Sequence, residues 1–288
     1  MSFALYRPRT FEEAFDLLDR EAERPVLPLA GGTDLLLAME FGRQNPSGLL
    51  SLSRLPLDTL EVRPDEIVVG ATLPLRTLER RPEVEARLPG LLEAVREVGS
   101  VQLRHRATMG GNLVRAAPAS DLLPPLLSLS ARVVLRSREG RRELPVEQFL
   151  RASWTTELRR GELLEAVRIP APRAGAYRWQ RVRPANAISQ VGVAVALHPS
   201  SSGSPWRVAA GGTEPTASRL VRTEAELPAV DPSEAEIEAA CARAAEEASF
   251  RADLRAGEDY RRHLLKVLLR RTLEATRERS RRLPLERP

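Results

Sequence analysis

The chain has 288 residues, 42% of them hydrophobic, with a formal net charge of +5 and a single cysteine. That length accommodates one large domain or two to three small ones with ample core, and no apolar run is long enough to cross a bilayer. The basic residues are almost all arginine, Lys266 being the only lysine, and they alternate with acids as in Glu79-Arg80-Arg81-Pro82-Glu83; such interleaving makes solvated, salt-bridged faces and, with few aromatics for base stacking, leaves nucleic acid an unexpected partner.

In chain order, the N-terminus lacks an apolar signal core before the acids Glu12 and Glu13, which predicts a soluble cytoplasmic protein. Thr10-Phe11-Glu12-Glu13 fits a capping box, followed by Phe11, Phe15 and Leu18 on one helical face. A strand at Val26 to Leu29, the loop Ala30-Gly31-Gly32-Thr33-Asp34 and a helix from Leu35 to Met39 come next, then a strand at Leu49 to Leu52. These complete a βαβ-like unit over residues 1 to about 55. A second unit, about 56 to 172, holds a strand at Ile67 to Gly70, helices at Leu75 to Glu79 and Gly90 to Val98, and strands at Arg132 to Arg136 and Glu162 to Ile169. Between them lies Arg104-His105-Arg106-Ala107-Thr108-Met109-Gly110-Gly111-Asn112-Leu113, with Asp121 opening a helix from Leu122 to Leu129. Pro170 to Gly175 reads as a linker. Beyond it, strands at Tyr177 to Val182, Ile188 to Leu197 and Trp206 to Ala210, then helices at Ser233 to Ser249 and Tyr260 to Arg279, predict a small α+β domain over 173 to 288.

The two double-glycine stretches are the candidate ligand loops. Paired glycines allow positive φ and close approach to bare N–H groups, which suits a phosphate or pyrophosphate. The first precedes a helix, so its amides meet a helix N-terminus. Alone it reads equally as an ordinary β-to-α turn; paired with the second it reads as ligand binding. Neither is the dinucleotide fingerprint or a Walker loop. A third stretch, Ala210-Gly211-Gly212-Thr213-Glu214, nearly repeats the first, but Pro215 follows and no apolar helix does, so a tight turn is expected. The lone Cys241 cannot ligate an iron–sulfur cluster, and His105, His198 and His263 lie far apart, so neither a metal site nor a catalytic acid–base set is predicted.

Together the two loops resemble those of the FAD-binding medium subunits of molybdenum hydroxylases, the family of xanthine, carbon monoxide and nicotine dehydrogenases. That family has an AGGTDL-like loop near its N-terminus and an R-N-R-A-T-I-G-G-N-L loop followed by P-A-S-D. Here His105 and Met109 depart from the usual Asn and Ile, Pro118-Ala119-Ser120-Asp121 is kept, and Asp259-Tyr260-Arg261-Arg262-His263-Leu264 resembles the family's D-Y-R-R-H-L. The resemblance implies an α+β fold: a two-subdomain FAD-binding domain of the vanillyl-alcohol-oxidase-like type clasping FAD, and a C-terminal domain of antiparallel sheet and helical bundle.

It also implies the cofactor contacts: Leu29, Ala30, Gly31, Gly32, Thr33, Asp34, Leu35 and Leu36 from the first loop, Thr108, Met109, Gly110, Gly111 and Asn112 from the second, and Val98, Asp121, Leu164 and Arg181 by alignment. Asp34 would repel a phosphate and is read as capping its helix or meeting the helix dipole. Asp121 reads as a helix cap and as a contact to the nucleotide half of FAD, and Leu164 as a core strand residue or an apolar neighbour of the cofactor. Arg181 stands near the family's lysine position and reads equally as a solvated strand charge. FAD is expected to be non-covalent. Molybdopterin and two [2Fe–2S] clusters are expected in a large and a small partner subunit of a hetero-oligomer. Electrons would pass from the clusters to FAD and on to NAD, quinone or oxygen. The rival readings are a self-contained flavin oxidoreductase of the vanillyl-alcohol-oxidase-like superfamily and a flavin-free binding module. An AGGTDLL-type rather than AGGHSLL-type loop leans away from carbon monoxide as substrate.

Overall fold

The structure is a computed structural model that describes residues 3–19, 24–183, 187–199, 204–213, 215–228 and 230–282. The chain opens with β1 (Ala4–Tyr6), α1 (Phe11–Leu18), β2 (Val26–Leu29), α2 (Leu35–Glu40) and β3 (Gly48–Ser51). The strands form a parallel sheet in the order β1-β3-β2, with Gly48 opposite both Ala4 and Val26. Phe11, Ala14 and Phe15 bury one face of α1 over it. The cap of α1 is simpler than the expected box. The Thr10 hydroxyl accepts from the Glu13 amide, but the Glu13 carboxylate receives the Arg9 N–H at 2.7 Å.

The second unit runs β4 (Leu60–Val62), β5 (Glu66–Gly70), α3 (Leu75–Glu79), α4 (Pro82–Arg87), α5 (Pro89–Glu97), α6 (Val101–Arg104), α7 (Met109–Arg115), α8 (Leu123–Ser128), β6 (Arg132–Ser137), β7 (Gly140–Pro145), α9 (Val146–Phe149), β8 (Leu150–Ala152), β9 (Thr155–Thr156) and β10 (Leu163–Pro170). Its five-stranded sheet is antiparallel in the order β4-β5-β10-β6-β7. Ile67, Val69, Val133, Leu135, Val167 and Ile169 face the helices and join Leu75, Leu91, Leu92, Leu113 and Leu126 in the largest core.

The last unit is β11 (Ala174–Arg181), β12 (Ser189–Leu197), β13 (Trp206–Gly211), β14 (Ser218–Arg219), α10 (Val221–Glu224), α11 (Glu234–Glu247) and α12 (Glu258–Arg282). Its sheet is antiparallel in chain order. Every residue of β12 is buried, because both faces are covered. Val191, Val193, Val195 and Leu197 meet α11 and α12, while the small Ala194 and Ala196 face the second unit's core. That small face permits close docking: a Cβ on Gly90 of α5 would lie 2.9 Å from the Ala176 nitrogen of β11.

The expected linker at 170–175 is therefore corrected. Pro170 still pairs with Glu66 in β10 and Ala174 already pairs with Leu197 in β11, so three residues join two units that share a core. Both prolines of α8 stand in its first turn, as the sequence predicts. The α11 capping box forms in full, Ser233 and Glu236 bonding reciprocally. Gly212 makes the expected tight turn after β13 at φ +74, and a Cβ there would sit 2.3 Å from the Gln190 carbonyl. Arg261, of the D-Y-R-R-H-L stretch, is buried beneath this turn and donates to that same carbonyl. Glu214 lies outside the described residues, as does Pro184 beyond Arg181.

Candidate functional site

The two glycine stretches meet. A Cβ on Gly31 would stand 1.9 Å from the Arg106 carbonyl oxygen and 3.2 Å from the Ala107 Cα, so the backbones touch and only glycine fits. Gly32 adopts φ +77, packed between the ends of the Leu29 and Leu36 side chains. Across this turn the N–H groups of Gly31, Gly32, Thr33, Asp34 and Leu35 donate to no acceptor among the described residues. They lead into α2, whose first helical bonds are Leu36 to Gly32 and Ala38 to Asp34. A run of free amides through a positive-φ residue at a helix start is an arrangement that can bind an anion. Gly31, Gly32 and Thr33 are half-buried.

The second stretch is not the open loop the sequence suggests. Thr108 is the N-cap of α7, its hydroxyl accepting from the Gly111 amide at 3.0 Å. Gly110 and Gly111 are helical, and neither has positive φ. Gly110 is glycine for packing: a Cβ would lie 2.6 Å from the Ala71 carbonyl, which its own N–H engages at 3.1 Å. Met109 is fully buried in the core. Gly111 is exposed and differs: a Cβ there would meet only Thr108 Oγ1, at 3.0 Å. Free amides therefore come mainly from the first loop, and bare, open surface from Gly111.

Asp34 stands at the N-cap position of α2 without making a cap bond; its carboxylate lies 3.8 Å from Arg115 of α7. Asn112 Oδ1 accepts the Ser120 hydroxyl, tying α7 to the residue before Asp121. Asp121 and Arg181, separate candidates in the sequence, are partners. Asp121 Oδ1 accepts from the Tyr177 hydroxyl at 2.7 Å and the Ser189 hydroxyl at 2.6 Å, and Oδ2 from Arg181 at 2.9 Å. Arg181 also donates to the Glu97 carboxylate and carbonyl, both at 2.9 Å. Its guanidinium is buried, which overturns the solvated-charge reading.

Two carboxylates thus share one guanidinium. Burial raises Asp121 above the usual carboxylate range, and burial together with the Asp121 charge raises Glu97. Burial and the same Asp121 push the Tyr177 phenol well above its ordinary value. Of the roughly four lone-pair sites of the Asp121 carboxylate, Oδ2 keeps one for a further donor. Val98 ends α5 directly after Glu97, and its carbonyl accepts from Arg104 at 3.2 Å. Leu164 of β10 is buried under α7.

Most of the expected residues so fall on one path: first loop, α7, Ser120–Asp121, then Arg181 and the end of α5; Met109 and Leu164 lie in the core beside it. Sequence reasoning missed Glu97, Tyr177 and Ser189, which have no motif around them. Their strand and helix positions become meaningful only once β11 and β12 dock on α5. His105 is exposed and its Nδ1 lies 2.9 Å from the Val101 carbonyl.

Residues 1–172 match the family described as the FAD binding domain in molybdopterin dehydrogenase, and residues 176–276 the CO dehydrogenase flavoprotein C-terminal domain. The nicotine 6-hydroxylase medium subunit of Paenarthrobacter nicotinovorans is 30% identical over 268 residues, covering 92% of this chain and 94% of the relative. The carbon monoxide dehydrogenase medium chain of Hydrogenophaga pseudoflava is 28% identical over 95% of this chain and 96% of its own. A solved carbon monoxide dehydrogenase from Hydrogenophaga pseudoflava, lacking the Mo-pyranopterin moiety of its molybdenum cofactor, superposes with a TM-score of 0.89 at 28% identity, over 97% of this chain and 98% of that one.

Proposed function

This chain belongs to the family of FAD-binding domains of molybdopterin dehydrogenases, and from that premise we propose that it is the FAD-binding electron-transfer subunit of a molybdenum hydroxylase. The observation that carries the reading is the run of free amides from Gly31 to Leu35, held against the second glycine stretch by backbone contact at Arg106. A pyrophosphate supplies the acceptors that these donors lack. The Thr33 hydroxyl adds a donor, Gly111 leaves room for the ligand backbone, and Oδ2 of Asp121 can take a ribose hydroxyl. Bound FAD would accept electrons and pass them on; the protein binds, orients and tunes it.

The proposed layout is two FAD-binding subdomains, residues 1–55 and 56–172, of the vanillyl-alcohol-oxidase-like type, then a C-terminal domain over 173–288. The chain's one cysteine cannot furnish the thiolates of an iron–sulfur cluster. The molybdenum centre and the [2Fe–2S] clusters are assigned to large and small partner subunits of a hetero-oligomer, as the medium-chain names of the relatives suggest. No helix among the described residues is long and apolar enough to cross a membrane, and the cytoplasm is the proposed compartment. NAD, quinone or oxygen is the terminal acceptor.

Rapid mixing of the isolated, FAD-loaded chain tests this. Dithionite is expected to bleach the flavin and an acceptor to restore its colour, while purines, aldehydes and N-heterocycles leave it oxidised. Direct reduction by one of those substrates, without partner subunits, would replace this reading with a self-contained flavin oxidoreductase.

A further inference from the structure

Trp154 has a backbone that large residues avoid. It forms the two-residue tip of the β8–β9 hairpin with Ser153, at φ +64, in the left-handed region where a bulky side chain is a genuine outlier. Neighbours hold it there: its N–H donates to the Ala116 carbonyl at 2.9 Å, and the Ser153 hydroxyl donates to the Pro215 carbonyl. The strain does not serve burial. The side chain is 52% exposed, although the Arg115 guanidinium lies 4.0 Å from its ring centroid and covers one face. Arg115 in turn lies 3.8 Å from Asp34, within the run of free amides. Two short contacts therefore lead from the proposed pyrophosphate site to a large aromatic face that is open on one side.

A phosphate subsite with an open indole beside it suits a nucleotide, whose planar heterocycle stacks on an aromatic face while its phosphates take the amides. The guanidinium on the far face orders the indole and leaves the near face free. We infer that Trp154, positioned by Arg115, is a stacking platform for a planar heterocycle of a dinucleotide bound at this site. The inference rests on the flavoprotein reading. The heterocycle comes either from FAD itself or from a pyridine-nucleotide acceptor, and the two sources share the chemistry.

The test uses the intact chain and its intrinsic fluorescence. Trp206 is fully buried and Trp179 stacks on Tyr177, so the exposed, red-shifted emission belongs to Trp154 and is isolated by subtracting a Trp154→Phe variant. FAD is titrated into the flavin-free chain, then NADH into the FAD-loaded chain. Both ligands can quench a tryptophan through space as well as by contact, so quenching reports only that a ligand is near Trp154 and affinity assigns the stack. Trp154→Ala is expected to weaken the stacked ligand by roughly tenfold or more, with Trp154→Phe retaining most of the affinity; loss of FAD affinity assigns the platform to the cofactor, and loss of NADH affinity alone assigns it to the acceptor. Trp154→Gly separates binding from folding: glycine relieves the positive φ, so its melting temperature is expected to rise while the same ligand binds less tightly. A purely structural Trp154 could not give that pairing. A chain that binds FAD normally, with Trp154 emission unmoved by FAD and by NADH, overturns the stacking inference alone. A chain that binds no FAD overturns the flavoprotein reading with it.

Discussion

Valine at Gly111 and at Gly212 should have opposite consequences, because the two glycines exist for different reasons. Gly111 is the third residue of α7. Replacing glycine by valine within a helix changes propensity by no more than about 0.5 kcal/mol. The new Cβ would meet only Thr108 Oγ1, at 3.0 Å, which a small rotation relieves. Stability should stay within about 1 kcal/mol of wild type. The isopropyl group would nevertheless project into the space proposed for the cofactor. Pushing a pyrophosphate back forfeits a charge-assisted hydrogen bond of about 1.5–3 kcal/mol, so FAD affinity should fall roughly tenfold to a hundredfold.

At Gly212 a β-branched residue must adopt φ +74, and its Cβ would lie 2.3 Å from the Gln190 carbonyl. Strain and the enforced shift of β12 should cost about 3–5 kcal/mol, lowering the melting temperature by roughly 10 °C. The folded fraction should bind FAD normally. Flavin fluorescence titration and thermal unfolding of both variants measure the two quantities separately. Equal loss of FAD affinity in two folded variants, or an equal fall in melting temperature, would refute this division of roles.

Arg181→Met would leave Asp121 and Glu97 buried without their cation, and should destabilise by about 3–5 kcal/mol in urea titrations. Both carboxyls already sit above their usual range through burial, so the deficit should shrink at pH 5 relative to pH 8 as they take up protons. A deficit that grew in acid would contradict the shared-guanidinium arrangement. Burial holds His198 below its ordinary pKa of 6.5, against the hydrogen bond between its Nε2 and the Ser128 carbonyl at 2.9 Å, which favours the protonated ring. The unfolded chain therefore binds the extra proton first as pH falls through 6.5, and stability should decline below that pH. His198→Gln should flatten this decline, and an unchanged pH profile would assign it to other groups. Cys241 is buried, which pushes its thiol up to about 11. It should resist an aromatic disulfide reagent at pH 8 until the chain unfolds; rapid labelling of the native protein would contradict its burial.

Local structure was legible wherever side-chain period and turn chemistry act locally. Val26–Leu29 as a strand, α8 with its prolines in the first turn and the Ser233–Glu236 box all follow from neighbouring residues. The second glycine stretch was misread because Gly-Gly is ambiguous: Thr108 caps a helix there, and Gly110 is needed for contact with Ala71 rather than for positive φ. That reason lies far away in the chain and is invisible locally. The same holds for Arg181, whose partners Asp121 and Glu97 are 60 and 84 residues distant. Trp154 carried no signal at all, since nothing in Ala152-Ser153-Trp154-Thr155 announces a left-handed tryptophan.

FAD held by the Gly31–Leu35 amides and the open face at Gly111 would be seen in the visible absorbance of the purified chain, combined with equilibrium titration of FAD into flavin-stripped protein. The protein is expected to be yellow with a single FAD per chain, released intact when the protein is denatured, because the loops supply backbone donors and no covalent tether. A folded chain that is colourless and gains no bound-flavin spectrum at saturating FAD would contradict it.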